Sequence, residues 1–212
     1  MTTCLSDRRR AVIFDIGGVL LNFDLPRLVS RAAQGNPDST AVLLGLREKD
    51  SLRQVESGFM TGEAYFETFI RPVVPSWTFR DLIDGWKSIF SENEEGLGLL
   101  ACARAGGASV FFLSNLADYN RIAIDELFPD FLGRSDKSFL SYEMGCIKPD
   151  PTIFMRVMET IGARAEQCMF LDDTAGHVES ARRLGMRGMV FEGGRGARMK
   201  KELADWLSGN EA

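Results

Sequence analysis

Ala11-Val12-Ile13-Phe14-Asp15-Ile16-Gly17-Gly18-Val19 is an apolar, β-branched and aromatic run that stops at an acid and a glycine pair. Such a run reads as a strand buried on both faces that ends in a loop, not as one arm of a solvent-facing hairpin. An acid at that position is costly to bury unless it has chemistry to do. Asp15 is therefore read as a nucleophile.

Two further runs repeat the pattern. Ser109-Val110-Phe111-Phe112-Leu113 stops at Ser114-Asn115, and Cys168-Met169-Phe170-Leu171 stops at Asp172-Asp173. Each is followed by a helical stretch, Ala117 to Leu127 and Ala175 to Leu184, the second closed by Gly185. Lesser strands are expected near Ser138 to Leu140 and Arg187 to Phe191, which makes about five strands separated by helices and hence an α/β, doubly wound parallel sheet. Between about Asn22 and Gly98 the strand pattern gives way to helix starts: Asp24 before Leu25-Pro26, Asp38 or Ser39, Thr61, and Ser76 or Thr78. The expected organisation is a core of residues 1–21 plus 99–212 with a helical cap over 22–98 that can fold over Asp15. The aromatic residues of that insert recur at helical spacing and are read as its own core rather than as a substrate lining.

Composition narrows the function. The 212 residues are 45% hydrophobic, enough for a real core, and the net charge of −5 with a pI near 5.1 offers no positive field for nucleic acid. Arg8-Arg9-Arg10 precedes an apolar stretch too short for a signal peptide or a membrane span. Cys4, Cys102, Cys146 and Cys168 form no CxxC pair and read as reduced thiols, which points to a cytoplasmic setting. No signal sets an oligomeric state.

Parallel strands bring Asp15, Ser114-Asn115 and Asp172-Asp173 to one edge of the sheet, with Lys148 of Gly145-Cys146-Ile147-Lys148-Pro149-Asp150-Pro151 beside them. A carboxylate can attack phosphorus to give an aspartyl phosphate, and it must then approach a dianion of its own sign. Mg2+ answers that repulsion; Asp15, Asp172, Asp173 and the main-chain carbonyl of Gly17 could supply its protein oxygens. Ser114, Asn115 and the Lys148 ammonium could hold the transferring oxygens.

At these residues the chain resembles the haloacid dehalogenase superfamily, most closely its capped phosphatases. The resemblance rests on the first motif, on Ile147 to Phe154, and on Leu171 to Thr174 with Ala181 to Met186. It implies a Rossmann-like core, Mg2+, Asp15 as nucleophile, Ser114 and Lys148 as second and third motifs, and Asp172-Asp173 as the fourth. One departure matters: the acid-base Asp usual two residues after the nucleophile is Gly17 here. A subgroup of bacterial sugar-phosphate phosphatases with an Asp-Leu-Gly-Asn-Val-like motif shares that glycine, and also a cap segment like Glu56-Ser57-Gly58 through Ala64-Tyr65-Phe66 with Gly85-Trp86.

The expected activity is thus a phosphomonoesterase for a small phosphorylated metabolite such as a sugar phosphate, with Glu56, Glu63 and Tyr65 as candidate substitute acids. The alternatives are a metal-independent dehalogenase and a non-catalytic phosphate- or partner-binding protein; Gly17 weighs against a mutase. His177 is expected to face solvent or a neighbouring loop. Gly193-Gly194-Arg195-Gly196 is expected to be a turn rather than a phosphate loop, Cys146 a bystander, and Trp77, Trp86 and Trp206 packing anchors.

Overall fold

The structure, a computed structural model, describes residues 10–46 and 50–210; Cys4, Arg8 and Arg9 lie outside them. Five parallel strands, β1 (Ala11–Phe14), β4 (Ser109–Ser114), β5 (Lys137–Leu140), β6 (Cys168–Asp172) and β7 (Arg187–Val190), form one sheet in the order β5-β4-β1-β6-β7. The chain steps outward from β1 through β4 to β5, then returns to the other side of β1 for β6 and β7. β1 therefore sits at the switch point where open α/β sheets place their ligands.

Strand alternation assigns the two faces. Val12, Phe14, Val110, Phe112, Met169 and Leu171 pack on one side against α6 (Glu94–Ala105) and α11 (Gly196–Ser208). Ala11, Ile13, Phe111, Leu113, Cys168 and Phe170 pack on the other against α9 (Pro151–Ile161) and α10 (Ala175–Arg183). Both faces being covered explains why these strands read as unbroken apolar runs.

The insert carries five helices among the described residues: α1 (Leu25–Ala33), α2 (Pro37–Gly45), α3 (Asp50–Glu56), α4 (Gly62–Tyr65), which continues into a π-turn over Phe66–Ile70, and α5 (Phe79–Lys87). Asp24, Thr61 and Thr78 cap α1, α4 and α5 as expected, whereas Asn36 rather than Asp38 or Ser39 caps α2, its Oδ1 accepting from both of their N–H groups. Leu28, Val55, Phe66 and Leu82 centre a separate apolar cluster, to which α7 (Asp118–Leu127) adds Tyr119 and Ala123.

Two short strands that the sequence pattern does not reveal, β2 (Leu21–Phe23) and β3 (Phe90–Glu92), pair antiparallel where the chain leaves and re-enters the sheet layer. Helix α6 begins at Glu94 and straddles the expected 98/99 boundary. Residues 193–195 form the turn into α11, with the Gly194 N–H donating to Glu95. A short helix, α8 (Ser141–Met144), leads into the lysine loop. No helix among the described residues is long and apolar enough to cross a membrane.

Candidate active site

Register places the chemistry. Phe14 pairs with Phe112 on one side and Leu171 on the other, so Asp15, Ser114 and Asp172 emerge together at the carboxyl edge of the sheet. Asp15 Oδ1 accepts from the Ile16 N–H and from Ser114 Oγ, both at 2.7 Å. Asp15 Oδ2 lies 2.9 Å from Lys148 Nζ. The ammonium also donates to Asp172 Oδ2 at 2.6 Å and to the Leu113 carbonyl at 3.1 Å, and its side chain is wholly buried.

Asn115 spends its carboxamide on the lysine loop: Nδ2 donates to the Lys148 carbonyl at 2.9 Å and Oδ1 accepts the Lys148 N–H at 2.8 Å. It anchors the loop that delivers the ammonium. Asp172 is saturated, with Oδ1 accepting the Thr174 N–H at 2.8 Å and both oxygens 3.0 Å from His177 Nδ1. His177 therefore does not turn to solvent. The N-terminal turn of α10 carries it back over the strand end, and it lines the cavity above Asp15. Its spacing, one turn beyond Asp173, was the signal available in sequence.

One ammonium serves two buried carboxylates, and the charge is shared unevenly. Burial pushes the Asp15 carboxyl up to about 7, and the charge of Asp172 adds to the rise against the pull of Lys148 and Ser114. Asp172 is held below the usual carboxylate range because Lys148 and His177 together outweigh its burial. Burial would lower the Lys148 ammonium, but Asp15 and Asp172 overcome it and hold Lys148 above the ordinary lysine value. Asp173 keeps access to solvent; partial desolvation by its neighbours and then the charge of Asp172 raise its carboxyl. Its carboxylate has one weak side-chain partner, Thr174 Oγ1 at 3.4 Å, and lies where a Cβ on Gly18 would stand. The cluster is short of positive charge and rich in hard oxygen donors, which is the chemistry Mg2+ fits. Asp15, Asp172 and His177 also present ligand atoms within 4.8 Å of one another.

A cavity of about 410 Å³ opens from Asp15, Gly17, Ser114 and Asp173 into the helical insert. Of the candidate substitute acids, Glu56 and Tyr65 line it; Glu63 is exposed and does not. Trp77 and Trp86 line it as well as pack, so the insert's aromatic residues serve both readings, while Trp206 packs under Arg10. Burial raises the Cys146 thiol, which lies outside the cavity lining; Cys102, Cys146 and Cys168 are all free thiols.

The curated relatives and solved structures agree with this architecture. The chain is 27% identical over 197 residues to the drimenol cyclase of Aspergillus calidoustus, covering 86% of this chain and 34% of that much longer protein. It is 22% identical over 201 residues to the D-ribitol-5-phosphate phosphatase of Bacteroides thetaiotaomicron, covering 91% of this chain and 95% of that one. A crystal structure of a haloacid dehalogenase family enzyme from Bacteroides thetaiotaomicron, in complex with magnesium and inorganic phosphate, superposes with a TM-score of 0.73 at 25% identity over 88% of this chain and 96% of that one. The haloacid dehalogenase-like hydrolase model matches residues 9–185, most of the chain, and the protein belongs to that hydrolase family.

Proposed function

We propose that the protein is a Mg2+-dependent phosphomonoesterase acting on a small phosphorylated metabolite through an aspartyl phosphate. One observation carries the reading: the buried Asp15–Lys148–Asp172 cluster, with the Ser114 hydroxyl on Asp15, opens into a cavity of ligand size. The phosphatase relative and the magnesium and phosphate complex of the structural neighbour support it.

In this reading an Asp15 oxygen attacks phosphorus, the phosphorus–ester oxygen bond breaks, and the ester oxygen departs with that electron pair and takes a proton from solvent water, Gly17 having none to give. Water then attacks the phosphoryl group and releases inorganic phosphate with the Asp15 carboxylate restored. Lys148 holds Asp15 in place and offsets its charge, Ser114 stands one hydrogen bond from the attacking group, and Asn115 fixes the lysine loop. Asp15, Asp173 and the Gly17 carbonyl would hold Mg2+, which neutralises charge on the phosphoryl oxygens when bound. Asp172, already engaged by Lys148, His177 and the Thr174 N–H, supports the cluster instead. Residues 22–98 act as the cap. A cytoplasmic setting fits the free thiols.

The test is a phosphate-release screen over phosphorylated metabolites, with and without Mg2+, run beside Asp15→Asn. Release that needs the metal and vanishes in the variant is expected. Halide release from a short haloacid without metal, or phosphate binding with no turnover, would replace the reading.

A further inference from the structure

The cavity above Asp15 is lined mostly by apolar side chains. Asp15, Ser114 and Asp173 mark the phosphate end, and the walls beyond are made by Leu28, Val29, Leu43, Leu46, Leu82 and Trp86. These walls come from α1, α2 and α5, and Leu28, Leu43 and Leu82 are less than one-tenth exposed. Interiors ordinarily close such space by packing, yet here Ala32 faces the cavity where a larger residue would fill it. The apolar wall reaches down to the reacting end, because the Phe23 ring packs against Gly17.

From this lining we infer that the phosphate ester taken by the site carries a hydrocarbon group, seated among the apolar side chains of α1, α2 and α5. The inference rests on the phosphatase reading above. A polyol would bring several hydroxyl groups into the same space. Besides Asp15, Ser114 and Asp173, the polar side chains that line it are Asn115, Thr174 and His177, which sit beside those acids, and Glu56, Asn120, Tyr65 and Tyr119. Asn115 is bound to the lysine loop and His177 to Asp172; the Asn120 carbonyl accepts the Ala117 N–H, and its buried Nδ2 is the one of these amide groups with no partner among the described residues. A hydroxyl could meet Asn120 Nδ2, but a polyol has several, and those set against the leucines of α1, α2 and α5 would lose their water partners, whereas a hydrocarbon gains by leaving water.

The experiment uses the full chain with Mg2+ and measures kcat/KM for n-alkyl phosphates from butyl to dodecyl, ribitol 5-phosphate, and p-nitrophenyl phosphate as a general phosphatase probe. Each added methylene is expected to raise kcat/KM by up to about 4-fold until the cavity is full, the equivalent of about 0.8 kcal/mol per buried methylene. Ala32→Phe should bring that plateau to a shorter chain. A flat series, or ribitol 5-phosphate preferred over every alkyl phosphate, with p-nitrophenyl phosphate still hydrolysed, would overturn the inference and leave the phosphatase reading intact. Calorimetry with n-alkylphosphonates separates the converse case. Binding that tightens with chain length and carries a negative heat-capacity change supports a hydrocarbon site even if no ester is hydrolysed; affinity independent of chain length overturns it.

Discussion

Gly17 and Phe23 have to be considered together. A Cβ at position 17 would lie 3.2 Å from Phe23 Cε1, so an aspartate there needs the ring to give way by a few tenths of an ångström. Phe23 is 38% exposed and has room to do so. Gly17→Asp should therefore restore an acid-base group, with a gain of up to about 10²- to 10⁴-fold on alkyl esters and little on p-nitrophenyl phosphate, whose leaving group needs no proton. Phe23→Ala added to it should enlarge the gain. The ratio of kcat/KM for the two ester classes reads this out, and equal changes in both would count against a missing acid. Lys148 makes the opposite case, since its ammonium is fully buried between two carboxylates. Lys148→Met should cost about 3–5 kcal/mol in denaturant unfolding by leaving both acids uncompensated. Asp172→Asn in the same chain should recover part of that loss; no recovery would show that packing, not charge, is what the lysine supplies.

Between elements, α5 and α7 are clasped by charge: Glu126 receives Arg80 at 2.6 Å and Lys87 at 2.8 Å. Those two partners hold the Glu126 carboxyl down at about 2, below its ordinary value of 4.5. A depressed carboxylate stabilises the fold above its unfolded pKa and loses that contribution as pH falls through the folded one. The gap in melting temperature between wild type and Glu126→Gln should thus be constant above about pH 5 and close between pH 4.5 and pH 2. A gap that persists at pH 2 would assign the effect to packing. The elements also show what a sequence can disclose. β1, β4 and β6 are legible because burial on both faces demands continuous apolar residues. The β2–β3 ribbon is not, because each strand has three residues, Phe23, Ser91 and Glu92 among them, and its partner lies across the whole insert. The acids at the strand ends were legible as a set, but their division of labour was not. Asp172 closes β6 and points into the lysine, Asp173 lies one residue past the strand, and only the strand register separates them. His177 was misread because the phase of α10 depends on where β6 ends.

For the molecule as a whole, the site concentrates negative charge that the protein alone does not balance. Asp15 and Asp172 share one ammonium, and Asp173, solvent-accessible beside them, adds a third carboxylate with the charge of Asp172 against it. A divalent ion that binds the folded chain and not the unfolded one should therefore stabilise the whole domain by mass action. At a hundredfold excess over its dissociation constant the gain is about 2.7 kcal/mol. For a chain of this size that corresponds to a rise of about 5–11 °C in melting temperature. Mg2+ against a chelator, at matched ionic strength, should give that shift in wild type and lose most of it in Asp173→Asn. Asp172→Asn should weaken the fold through Lys148 yet keep a larger share of the Mg2+ shift, because its oxygens are already taken by protein donors. Equal shifts in both variants would mean that the two acids are interchangeable toward the metal. The assignment of Asp173 as the ligand would then be wrong, although the charge deficit that calls for the ion would stand.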